Sequence, residues 1–370
     1  MDINILEINS KILRNNISII KEYTKTKFCL PVKANAYGHG LEIIVKNTND
    51  IVDFYAVACA TEALEVCKYS FEVPVLVFGV VEATYVSELI KRDVRFSIHS
   101  MADIEKLEYY AQKNNKKVKV HIFVNTGMNM LVVVYKDACN VITQFYKSVY
   151  IELEGVYSHL ACADDKENTF NQLQIERFLK VANFAKAKKE TVMCHLANSY
   201  ASIGQADISL DMVRPGILSY GFLPEFEIDE SLKQIKPIAK LETRIIRIIT
   251  LKDMLEVGYS ISYYGEADEQ IAILPIGYGD GFPRELGNAG CVYIDGNKYP
   301  IIGRINMDAL AVSLGNNDYN INVGEQAELI SNNPNKHNST KNIAKMLGTI
   351  EYDVVSTLNS RVMRKVFKCL

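Results

Sequence analysis

Lys33 stands in the segment Pro31-Val32-Lys33-Ala34-Asn35-Ala36-Tyr37-Gly38-His39-Gly40, at the end of the apolar run Phe28–Val32. If that run is a strand buried in a parallel sheet, the amine at its inner end loses solvation and its ammonium form is disfavoured. A deprotonated amine is what condensation with an aldehyde cofactor requires. Taken alone, the residue could equally be a lysine that snorkels to solvent. Three later apolar runs also end in unusual polar groups. Tyr157-Ser158-His159 offers a ring-stacking histidine, and His195-Leu196-Ala197-Asn198-Ser199 a hydroxyl. Arg214-Pro215-Gly216-Ile217 offers an arginine and a backbone that glycine lets approach an anion.

An amine, a phosphate cradle and a group able to face a pyridine nitrogen are together the requirements of a pyridoxal phosphate site. An acidic partner would keep that nitrogen protonated and the ring a strong electron sink. Arg214 would keep it unprotonated, which discourages decarboxylation and transamination. The expected outcome is loss of a Cα proton followed by its return. A decarboxylase acting on basic amino acids is the enzyme alternative, disfavoured by Arg214.

These residues need a scaffold that brings strand ends together. Short β-branched or aromatic runs recur at Phe28–Val32, Phe54–Ala58, Val73–Phe78, Val94–Ile98, Val118–Val124, Glu154–Tyr157, Thr191–Cys194 and Ser209–Val213. Most are separated by segments with apolar residues at helical spacing, such as Leu41, Ile44 and Val45. Continuously apolar strands suit a parallel sheet covered on both faces. Eight such units in about 230 residues match a (β/α)8 barrel, whose chemistry gathers at the ends of its strands; an open doubly wound sheet is the structural alternative. From about Ile238 the strands come without helices between them, and Asp295-Gly296-Asn297 is a hairpin signal. The reading is an α/β + β chain. Residues 1–232 form an N-terminal (β/α)8 TIM barrel and residues 233–370 a C-terminal, mostly β domain, with a late helix near Asn342–Leu347 and a linker in Pro224–Pro237.

The 370 residues carry 41 Lys+Arg against 44 Asp+Glu, a net charge of −3, which removes the simplest case for a nucleic-acid or anionic-membrane partner. No apolar run reaches the roughly 18 residues needed to span a bilayer. The N-terminus lacks the basic-then-apolar pattern of a secretory leader. The eight cysteines are scattered without a CxxC pair, as expected for core residues in a reducing cytoplasm, with no metal site.

Lys33-Ala34-Asn35-Ala36-Tyr37-Gly38-His39-Gly40 resembles the signature of alanine racemases and their close relatives. His195 to Ser199, Arg214 to Ile217, Pro275-Ile276-Gly277-Tyr278-Gly279-Asp280-Gly281 and Gly303-Arg304-Ile305-Asn306-Met307-Asp308 match further family segments in order. The resemblance implies pyridoxal 5'-phosphate on Lys33, with Tyr37, Ser199, Gly216, Ile217 and Tyr352 at its phosphate and His159 and Asn198 also at the cofactor. Arg214 would face the pyridine nitrogen, oriented from behind by His195. It further implies a head-to-tail homodimer that binds a small amino acid and supplies D-amino acid for the cell wall. Two catalytic bases would work on opposite faces of the substrate: Lys33, and a tyrosine from the partner chain. The family's spacing of nineteen residues before Tyr278 selects Tyr259, since 278 − 259 = 19. Met307 and Tyr278 would meet the substrate, with Arg284, Arg304 and Asp164 lining the entry.

The resemblance breaks at Phe123-Val124-Asn125-Thr126-Gly127-Met128-Asn129-Met130. Family members usually have aspartate at Asn125 and arginine at Met130, the latter holding the cofactor and the substrate carboxylate. Some carry a carbamylated lysine where Phe123 stands. A thioether cannot donate, and losing a charge-assisted hydrogen bond is worth roughly 1.5–3 kcal/mol. Either another group holds the carboxylate, with serine or a larger or basic amino acid as substrate, or the chain binds cofactor with weakened racemase activity. Loss of both the arginine and its support points to a rebuilt pocket.

Overall fold

The computed structural model describes residues 3–130, 133–205 and 208–367. It divides into two compact units: 13–36 with 44–236, and 1–12 with 37–43 and 237–370.

The larger unit is a nearly closed parallel barrel. The first strand of the chain, β1 (Ile5–Ile8), takes no part in it. The barrel strands are β2 (Lys27–Pro31), β3 (Phe54–Val57), β4 (Val75–Val77), β5 (Arg95–Ile98), β6 (Val118–Asn125), β7 (Ile151–Tyr157), β8 (Met193–His195) and β9 (Met212–Val213). They pair in the order β9-β2-β3-β4-β5-β6-β7-β8, every neighbour parallel. The remaining gap is bridged where Arg214 N–H donates to the Ala197 carbonyl at 2.9 Å and Asn198 pairs with Arg214. Strands β3, β4 and β5 are buried at every position; β3 and β4 therefore read as unbroken apolar runs, while β5 also buries Arg95 and Ser97. Cys29, Phe54, Ala56, Leu76, Met193 and Met212 pack together in the core. The eight runs anticipated from the sequence are these eight strands, with ends shifted by a few residues.

The smaller unit holds a nine-stranded sheet built from β1, β10 (Ala239–Arg244), β11 (Arg247–Thr250), β12 (Gln270–Leu274), β13 (Cys291–Ile294), β14 (Asn297–Ile302), β15 (Leu310–Gly315), β16 (Gln326–Ile330) and β17 (Met363–Val366). The β13–β14 hairpin turns at Asp295 and Gly296, whose φ angles of 45° and 77° are those of the tight turn favoured by right-twisted strands. The late helix spans Thr340–Leu347, and the Ser339 hydroxyl caps it by accepting from the Asn342 N–H.

Two features differ from the sequence reading. Strand β1 pairs with β10 and β17, partners more than 230 residues away that no local pattern reveals. The stretch read as a linker is packed: Leu232 and Ile235 are buried, and the Asn16 carboxamide donates to the Lys236 carbonyl at 2.8 Å. No helix among the described residues is long and apolar enough to cross a membrane, and the described cysteines are all unpaired.

Candidate active site

Lys33 follows β2 at the mouth of the barrel. Burial lowers its pKa from the ordinary lysine value, with the Glu62 carboxylate opposing that shift. The chain beyond it winds the wrong way: Ala34, Asn35 and Ala36 have φ/ψ near +53°/+50°, and Tyr37 has φ 53°. A left-handed turn of non-glycine residues costs roughly 1–2 kcal/mol per residue, so something must hold it. Glu62 does so in part. Its two carboxylate oxygens accept from the backbone N–H groups of Ala34 and Ala58, both at 2.7 Å.

The loops after β7, β8 and β9 converge on the same end. The Asn198 amide donates to Nε2 of His159 at 3.3 Å. Burial, then the positive charges of Arg214 and Lys33, push His159 down to about 3, so its ring is neutral at pH 7. Beneath it the Ser158 hydroxyl donates to the Val124 carbonyl at 2.7 Å and fixes the loop. Burial likewise takes Arg214 down to about 10, leaving it a cation at neutral pH. Its guanidinium donates to the carbonyls of Ser158 and Leu196 at 2.6 and 3.1 Å and to Nδ1 of His195 at 2.8 Å.

The line of polar groups does not end at His195, the last of them that stands out in the sequence. In the structure His195 Nε2 lies 2.8 Å from Nδ1 of His121, and His121 Nε2 lies 3.2 Å from the Glu154 carboxylate. The available signal was Gly155, a glycine inside an apolar strand, which often marks a close approach. A Cβ there would stand 2.4 Å from His121 Nδ1.

A phosphate cradle is present in outline. Ser199, Gly216 and Ile217 are buried. Among the described residues no protein acceptor takes the backbone N–H of Gly216 or Ile217 or the Ser199 hydroxyl proton, whereas buried donors are ordinarily satisfied. Orphaned donors at the same barrel end as the half-buried Lys33 amine fit the phosphate of pyridoxal phosphate.

The divergent segment has its own internal logic. Phe123 stacks on Tyr157 with centroids 4.5 Å apart and planes at 9°, and Tyr157 stacks on His195 at 4.9 Å and 6°. An aromatic column thus runs from Phe123 through Tyr157 to His195. Asn125 accepts from the N–H groups of Gly127 and Asn129 at 3.0 and 3.2 Å, capping its own loop. Met130 is 62% exposed.

The remaining anticipated residues lie in the smaller unit, except Asp164, which belongs to the barrel unit. Tyr37 and Tyr352 have ring centroids 5.9 Å apart. Tyr259 opens a short turn after Gly258 and is 67% exposed. Tyr278 N–H donates to the Asn306 carbonyl and Gly279 N–H to the Met307 carbonyl, at 3.1 and 2.8 Å, so these two family segments form one layer. Arg361 clasps it by pairing with Asp280 and Asp308. Arg284 lies over the Tyr278 ring and Arg304 donates to the Ser260 hydroxyl.

The fold and site define a two-unit barrel protein with a half-buried amine, a buried guanidinium and an anion cradle at its strand ends. Residues 8–224 match the alanine racemase N-terminal domain family, and residues 238–366 match the alanine racemase C-terminal domain family. The chain belongs to the alanine racemase family. It is 53% identical over 364 residues to the alanine racemase of Francisella tularensis subsp. tularensis (strain FSC 198), covering 98% of this chain and 100% of the relative. The alanine racemase of Francisella philomiragia subsp. philomiragia is 52% identical with the same coverage. Among solved structures, the alanine racemase of Clostridium difficile 630 superposes with a TM-score of 0.91 at 30% identity, covering 98% of this chain and 95% of that one.

Proposed function

We propose that this chain interconverts L- and D-alanine with pyridoxal 5'-phosphate as cofactor, supplying D-amino acid for the cell wall from the cytoplasm. The observation that carries the reading is Lys33, a half-buried amine with a lowered pKa in the same unit as the orphaned donors of Ser199, Gly216 and Ile217. When bound, the cofactor would link to an amine through its aldehyde and make the Cα proton of an attached amino acid acidic.

The protein's own groups do the rest. Lys33 holds and moves a proton on one face of the substrate; its lowered proton affinity suits that role near neutral pH. Ser199, Gly216 and Ile217 would hold the phosphate, and by the resemblance Tyr37 and Tyr352 are further candidates for it. His159 and Asn198 would bind the cofactor as neutral groups. Arg214 would donate to the pyridine nitrogen and leave it unprotonated.

The second base is Tyr259 of the partner subunit in a head-to-tail homodimer. Its exposure of 67%, with Tyr278 at 42% and Met307 at 52%, suits residues that complete another chain's site. In this scheme the unit of residues 13–36 and 44–236 supplies the barrel, and the other unit reaches the neighbour. The Met307 N–H, which has no protein acceptor among the described residues, is available to the substrate carboxylate.

A second reading is racemisation of serine or a larger or basic amino acid, or weakened turnover. It is favoured by Met130, which cannot hold a carboxylate, and by Asn125, which is engaged within its own loop. Chiral product analysis of purified holoenzyme against L-alanine, serine, lysine and arginine separates the readings. Fast D-alanine formation that vanishes in Lys33→Ala supports the first, a faster rate on another amino acid supports the second, and CO2 release without racemate overturns both.

A further inference from the structure

We infer that Glu154 and His121 are positioning residues for Arg214, through a hydrogen-bond chain of fixed direction, Arg214→His195→His121→Glu154, that holds both imidazoles as neutral Nε2–H tautomers. Its functional meaning rests on the proposed role of Arg214 at the cofactor's pyridine nitrogen. Its direction rests on chemistry alone.

A guanidinium has donors and no acceptor. At 2.8 Å from Arg214 Nη1, the Nδ1 atom of His195 must therefore accept. A neutral imidazole carries its proton on the other nitrogen, so His195 Nε2–H donates to Nδ1 of His121 at 2.8 Å. His121 then carries its own proton on Nε2, which donates to Glu154 Oε2 at 3.2 Å. A carboxylate accepts, so the chain ends there. An imidazolium at His195 would set two N–H groups head to head against Arg214, and one at His121 would do so against His195. Burial works the same way, pushing His195 well below and His121 below the ordinary histidine value, Arg214 adding to both shifts.

The far terminus is built as an anion. Burial alone would raise the Glu154 pKa, but hydrogen bonds from His121 and Arg95 outweigh it and hold the carboxyl at about 2. Arg95 Nε and Lys119 Nζ stand 3.1 and 3.3 Å away, near the starts of β5 and β6. Gly155 leaves room for the His121 ring, and the pairing of β6 with β7 shifts register between Val120 and His121. Arg214 otherwise meets the two carbonyls and the face of Tyr157, 5.3 Å from the ring centroid. The chain thus links a buried cation to a partly buried anion through two neutral rings, each hydrogen bond polarising the next. Such a guanidinium is fixed in direction as well as charge.

The test begins without cofactor. Nitrogen-15 NMR of histidine-labelled apoprotein at pH 7 should show His121 and His195 as Nε2–H tautomers. A bare Nε2 or an imidazolium at either residue overturns the inference. Glu154→Gln keeps an acceptor oxygen and removes the charge. It should move the His195 signals, although His195 does not touch Glu154; unmoved His195 signals also overturn it. In holoenzyme, Glu154→Gln should lower kcat about tenfold with KM within about twofold. Wild-type kcat in that variant overturns the positioning role even if the tautomers are as stated. If wild-type holoenzyme racemises nothing, the proposed function fails while the tautomer result still decides the chain.

Discussion

The imidazole of His121 lies against the bare Cα of Gly155, its register partner on the neighbouring barrel strand. A Cβ at 155 would come within 2.4 Å of Nδ1 and 2.6 Å of Cε1, both in a fully buried ring. Gly155→Ala should therefore displace His121, break its bond to His195, and destabilise the protein by about 1–3 kcal/mol. Gly296→Ala is the control: nothing lies within 4 Å, and only its φ of +77° resists a side chain. It should cost about 1 kcal/mol and leave the histidine signals in place. Denaturant titrations of both variants, with histidine NMR, check the pair; equal costs and undisturbed rings would contradict it.

Tyr259→Phe removes one phenol from an exposed turn and should leave the fold and the cofactor's visible absorbance intact. If that phenol serves one face of the substrate, exchange of the Cα proton should fall for one enantiomer much more than for the other. General acid–base groups contribute roughly 10²–10⁴-fold, which sets the size of the loss. Solvent-deuterium incorporation into L- and D-alanine, followed separately, gives the answer. Equal rates for both enantiomers at wild-type level would remove Tyr259 from the reaction.

The barrel was legible because its strands are buried on both faces and so announce themselves as apolar runs. Lys33, His195 and Arg214 were legible because polar residues at the ends of such runs stand out. His121 and Glu154 were not, since each sits inside a strand, where a polar residue resembles an ordinary solvent-facing position. Their meaning depends on the pairing of β6 with β7, a relation between segments about 30 residues apart. Strand β1 was missed for the same reason on a larger scale. The role of Phe123 as the end of an aromatic column appears only when Tyr157 and His195 are brought beneath it.

Acid should weaken this fold in two stages. His121, His159 and His195 all have folded-state pKa values below the ordinary 6.5, chiefly through burial. The unfolded chain therefore binds protons that the native one refuses once pH falls below about 6.5, so stability present at pH 7 declines as pH drops. His159, held at about 3, contributes a loss of roughly 1–2 kcal/mol by pH 5. Glu154, held at about 2, adds a second loss that starts only near pH 4, where unfolded carboxylates take up protons. Urea titrations at pH 7.5, 6 and 5 should show falling midpoints; a flat response across that range would contradict the burial of neutral imidazoles.

The turn after Lys33 gives a prediction whose sign runs against ordinary expectation. Alanine to glycine normally destabilises by loosening the unfolded chain, by about 0.4–1 kcal/mol. Ala34, however, sits at φ 51° and ψ 52°, where a Cβ costs roughly 1–2 kcal/mol and glycine costs little. Its side chain is exposed, so no packing is lost. Ala34→Gly should therefore stabilise the protein, by about 0.5–1 kcal/mol net. Removing the clamp acts in the opposite direction. Glu62→Ala deletes the acceptors of the Ala34 and Ala58 N–H groups, both at 2.7 Å, and should cost about 1–3 kcal/mol. It also frees the strained turn to move Lys33, so cofactor retention on dialysis should fall with stability. In Ala34→Gly the clamp remains and retention should hold. A destabilised Ala34→Gly, or a Glu62→Ala that keeps both stability and cofactor, would mean that the left-handed turn is not what Glu62 secures.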